Sequence, residues 1–108
     1  MYKIRYEEFK EILDLKHRQH QAIGAAMLAD FEEMGKGEDF WKTAAELENK
    51  WKGMEEALWK SREEDKDGLW YARSQTMTMV EDFHYLPEKK LVHLLSVLDV
   101  EVEGYAGD

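Results

Sequence analysis

The chain has no cysteine, so it has no disulfide, no thiolate nucleophile and no cysteine-based zinc site to draw on. It has one proline and seven glycines in 108 residues, too few for a fibrous or low-complexity segment. No apolar run approaches the roughly 18 uncharged residues that a membrane span needs, and the opening Met1-Tyr2-Lys3-Ile4-Arg5-Tyr6-Glu7 is too polar for a secretory leader. A cytoplasmic location is the resulting expectation. Basic residues are also scarce, 15 against 24 acids, for a formal charge of −9. Such a surface repels phosphate backbones and anionic lipid, which excludes direct nucleic-acid binding and membrane association as expected functions. It attracts a basic protein for the same reason, including one that ordinarily holds nucleic acid.

What is present is helix-forming. From Phe40 the apolar residues Phe40, Ala44, Leu47, Trp51, Met54 and Leu58 recur at alternating steps of four and three, with Glu, Lys and Asn filling most of the gaps. That spacing keeps one face of a helix apolar over about five turns. Glu46 with Lys50, Glu48 with Lys52 and Glu56 with Lys60 place the acid four residues before the base, the orientation that supports an exposed helix.

Four helices follow from the pattern. The first runs from about Lys3 to Met34, with Tyr2, Tyr6, Phe9, Leu13, Ile23, Met27 and Met34 as its core stripe, and stops at Gly35-Lys36-Gly37. The polar stretch from Lys16 to Gln21 marks a place where it could bend. The second starts at Glu38 or Asp39 and ends near Asp67-Gly68; the third covers Leu69 to Tyr85; Pro87 opens the fourth, Glu88 to Leu98. Val100-Glu101-Val102-Glu103 alternates like a strand but has no evident partner, and reads as an extended tail; Gly104 to Asp108 should fray. The expectation is a single all-α domain over residues 1–103 of helix-bundle type, a long antiparallel helical hairpin plus two shorter helices. Its two long helices carry more apolar surface than the short ones can cover, so a homodimer or a partner should cover the rest.

Constellations that could carry chemistry are few. Asp65-Lys66-Asp67-Gly68 resembles part of a calcium loop, but in that alignment the twelfth position, which needs a bidentate Glu, is Ser74. An acidic helix end with a glycine cap explains it without metal. Glu81-x-x-His84 and Asp14-x-x-His17 have the spacing of a dinuclear carboxylate-bundle motif, but the inward positions of the second helix supply no Glu to complete one. Ser61, Ser74 and Ser96 all fall within helices and suggest no nucleophile with its base. No metal ligand set, cofactor or catalytic residue is therefore expected.

His17 and His20 sit in the polar stretch of the first helix, His20 on the inward line, and need either a structural partner or a docked chain. Trp41 and Trp59 are eighteen residues apart, about five turns, and so share a line beside the core stripe. They either widen the core or mark a second face on which another protein docks. The expected partner-binding set is Trp41, Trp59, Glu55, Glu63, His17 and His20, and the expected function is a small acidic protein-protein interaction module that inhibits or regulates a basic partner. Small, acidic, aromatic-rich chains of this kind include phage and mobile-element inhibitors that imitate DNA. The alternatives are a metal-dependent bundle enzyme and a purely structural oligomer.

Overall fold

A computed structural model of the chain describes residues 1–31 and 37–107. Along them run β1 (Tyr2–Arg5), α1 (Tyr6–Phe31), α2 (Gly37–Lys60), a 3-10 turn (Ser61–Glu64), α3 (Leu69–Phe83), α4 (Glu88–Val97) and β2 (Val100–Glu103). The protein is mostly helical, as the periodicity predicts. Of the expected Gly35-Lys36-Gly37 stop, Gly37 opens α2 and the other two residues, like Met34, lie outside the described ones. No described helix is long and apolar enough to cross a membrane.

The two strands correct the sequence reading, which placed the first in a helix and left the second without a partner. They pair in parallel, Tyr2 with Val100, Lys3 with Glu101, Ile4 with Val102 and Arg5 with Glu103. Both segments alternate, so one side of the ribbon buries Ile4, Val100 and Val102 while the other sets Lys3 and Arg5 beside Glu101 and Glu103 in water. A parallel pair needs a crossover, and here the whole helical body serves as one. Asp99 makes the entry possible. Its φ of 64° ends α4 in the left-handed conformation that Asp tolerates, and its carbonyl accepts a hydrogen bond from the Tyr2 N–H at 3.0 Å.

The core sits at this end of the molecule. Ile4, Phe9, Leu91, Leu95, Val80 and Val100 are fully buried, with Leu13, Leu15, Ala72 and Met79 around them. Thr76 is buried too, and its hydroxyl donates to the Ala72 carbonyl at 2.7 Å, which satisfies it inside the helix. The stripe on α2 faces inward as expected: Trp51 is buried, and Leu47, Met54 and Leu58 pack half-buried against the core. Of the three acid-base pairs read from the α2 sequence, Glu48–Lys52 closes at 3.2 Å. Tyr105, in the segment expected to fray, packs its ring 5.7 Å from that of Tyr6.

Ile23 and Met27 are where the predicted stripe fails. The helix runs through Lys16–Gln21 without a break, but both residues are half or more exposed. The apolar line continues past the elements that could cover it. The described residues measure 50 × 34 × 18 Å with a radius of gyration of 16.0 Å, against about 13 Å for a compact domain of this length.

Candidate partner-binding site

The chain folds back sharply between α2 and α3, and the turn builds a groove. Ser61 donates its hydroxyl hydrogen to the Leu58 carbonyl at 2.7 Å, tightening the end of α2. The Asp65 carboxylate then accepts the Trp70 N–H at 3.2 Å, satisfying one of the free donors at the start of α3. The acidic loop that resembles a calcium site therefore caps a helix. Gly68 has a φ of 71°, and a side chain there would overlap the Tyr2 ring, so the turn is pressed against β1.

This return brings Trp70 of α3 against Trp59 of α2, ring centroids 6.0 Å apart and planes within 16° of parallel. The Arg62 guanidinium lies 5.4 Å from both ring centroids, within the range of a cation–π contact. The two rings, with Leu58 and Met77, give apolar walls to a groove of about 470 Å³. Its charged lining is Glu55, Glu56, Glu81 and Asp82 against Lys52, so four acids face one base. Lys52 is itself engaged by Glu48, and Glu81 by Lys16 at 3.5 Å. The Trp70 Nε1–H is buried and without a hydrogen-bond partner. Apolar walls beneath a mostly acidic rim suit a ligand that is both oily and cationic.

The structure gathers only part of the expected set there. Trp59 and Glu55 line the groove. Trp41 stands exposed farther along α2, its ring 5.2 Å from that of Phe40, and Glu63 is exposed on the 3-10 turn; neither lines the groove. His17 and His20 instead meet the far end of α3. His17 donates its Nε2–H to the His84 carbonyl at 2.7 Å, and the His20 and His84 rings lie 4.6 Å apart. His17 thus closes one of the carbonyls that a helix end leaves open. The histidines of the two carboxylate-histidine motifs thus meet, while Glu81 is drawn to Lys16 and Asp14 is exposed beside Tyr6 and Arg18. Among the described residues, no group of three or more His, Asp and Glu side chains is placed to hold a metal ion.

Lys52, Glu56, Trp70, Glu81 and Asp82 of the groove, Arg62 over its rings and His84 of the histidine cluster are among the residues missing from the sequence-derived set. Nothing in local spacing ties Trp70 to Trp59 across the turn. Comparison of the chain with family models, curated proteins and solved structures found no match.

Proposed function

We propose that the protein is a non-enzymatic binding module that receives a basic, amphipathic segment of a protein partner in the groove between α2 and α3, and so regulates or inhibits that partner in the cytoplasm. The observation that carries this reading is Arg62. The chain's own guanidinium already rests over Trp59 and Trp70, so the ring pair is built to hold a cation, and the acid rim offers an arriving Lys or Arg several carboxylates. The finer architecture behind it is a long antiparallel hairpin of α1 and α2, on which α3 and α4 lie as shorter helices. A partner that normally binds nucleic acid suits the same groove, because a surface that recognises phosphates recognises carboxylates by the same charge; this is the DNA-mimic version, in the manner of phage and mobile-element inhibitors.

The test uses a labelled synthetic peptide of alternating Leu and Arg, with a Leu and Glu counterpart as control. The basic peptide should bind, quench tryptophan emission and weaken steeply as salt rises. Trp59→Ala should weaken it about tenfold or more, the loss expected of an aromatic at the centre of an interface. Equal affinity for both peptides, or binding indifferent to salt and to Trp59→Ala, would remove the reading. Pull-down from the native host with wild type and Trp59→Ala then identifies the partner.

A further inference from the structure

Among the described residues, a second face, away from the tryptophan groove, is left uncovered. Helix α3 ends at Phe83, and the following residue, His84, meets His17 and His20 of α1. Helix α1 continues for eleven residues beyond His20, and Ile23, Met27 and Leu28 are between half and two thirds exposed. With Gly24 they fall within an arc of about 140° of the helix, the same arc that carries His20 to α3. On α2, Trp41 is exposed on the line that carries Trp59 to α3 farther along. From Gln21 to Ala29 the sequence holds no charged residue, in a protein that is 36% charged.

We infer that this face is a homodimer interface, in which α1 of one copy packs on α1 of the second near Gly24. Two molecules of charge −9 repel one another over most of their surfaces, and the uncharged stretch lets them meet without opposing carboxylates. Gly24 has open space where a side chain would be, so two backbones can approach there. The exposed parts of Ile23, Met27, Leu28 and Trp41 amount to something on the order of 500 Å² per copy, most of the roughly 800 Å² that each partner contributes to a standard interface. A basic partner gains nothing from a face without charge, and a face that pairs with itself closes at two copies.

Sedimentation velocity across the micromolar range tests this. Wild type should pass from monomer to dimer with rising concentration, and Met27→Glu should weaken that association at least tenfold with far-UV circular dichroism unchanged. Gly24→Cys, the sole thiol of its chain, should form an interchain disulfide on mild oxidation. Trp59→Ala should dimerise as wild type does, which separates this inference from the fate of the groove. A chain that stays monomeric throughout, or a dimer indifferent to both Met27→Glu and Ile23→Glu, would overturn it.

Discussion

Two isoleucines of the first predicted helix should respond very differently when shortened to alanine. Ile4 is 0% exposed and Ile23 is 50% exposed. Ile4 lies in β1 opposite Val102, in the cluster that holds Phe9, Leu91 and Leu95. Its backbone is held by the strand pair, so the surroundings cannot collapse to fill the lost volume. Within the usual 2 to 5 kcal/mol for this substitution, Ile4→Ala should fall at about 3 to 4 kcal/mol. That is a large share of the 5 to 15 kcal/mol that typically holds a domain together. Ile23→Ala loses only partial burial and gains helix propensity, so its net effect should be about 0.5 kcal/mol or less in either direction. Urea denaturation followed by circular dichroism measures both, at a concentration where the chain is monomeric. A loss under about 1 kcal/mol for Ile4→Ala would refute the buried strand pair. An equally large loss at Ile23 would show that the helical stripe continues into the core.

Glycine replacements should split by conformation: Gly68→Ala, at φ 71° and against the Tyr2 ring, should destabilise by about 1 to 3 kcal/mol. Gly53→Ala, in the middle of α2 with open space around it, should stabilise by about 0.5 to 1 kcal/mol, both read from thermal melts. Tyr6 has its pKa pushed up from 10.0 to about 12, first by its hydrogen bond to Glu88, then by burial and by the charge of Glu88, Tyr105 and Asp14. The folded state therefore holds the phenolic proton more tightly than the unfolded state does, and this contribution is complete below pH 10 and disappears as pH rises through 12. Tyr6→Phe should remove that part of the alkaline decline, and an unchanged slope of stability against pH would show that Glu88 does not hold the hydroxyl. His17→Ala should cost about 1 kcal/mol by leaving the His84 carbonyl unpaired, as measured by urea midpoint.

Legibility followed the range of the interactions. The α2 stripe was readable because a helix that is apolar on one side and charged on the other reports its own inward face. Helices α3 and α4 were readable to within two residues because Gly68 and Pro87 punctuate them. The strand pair was not: its partners stand ninety-eight residues apart, and Tyr2 and Tyr6 also fit a helical step of four, so local pattern favoured the wrong period. Ile23 and Met27 expose a different limit, since periodicity tells which side of a helix is apolar but not whether another element is long enough to reach it. In the groove, Trp59 was readable from its line on α2, while its stacking with Trp70 depends on a turn set by Gly68, Asp65 and the Tyr2 ring together. His17 depends on the carbonyl of His84, sixty-seven residues away, which no spacing rule anticipates.

The placement of charge separates the two surfaces. Of the net charge, −6 belongs to residues 30–67 and −4 to residues 68–108, while residues 1–29 carry +1. The groove is lined by α2 and α3, from the acidic part of the chain, and its rim attracts cations. The open face of α1 comes from the part that is nearly neutral, and on the dimer reading proposed above its contacts would be driven by apolar burial, which salting-out ions strengthen rather than screen. On the readings proposed above, a homodimer would therefore carry two acid-rimmed grooves on one body. The groove contacts would loosen as ionic strength rises while the pairing of copies held. A partner with two basic segments would gain from the second groove by effective concentration, without any contact beyond those a single groove provides. The strand pair, which ties Tyr2–Arg5 to Val100–Glu103 and buries Ile4, Val100 and Val102 in the core, contributes to neither surface.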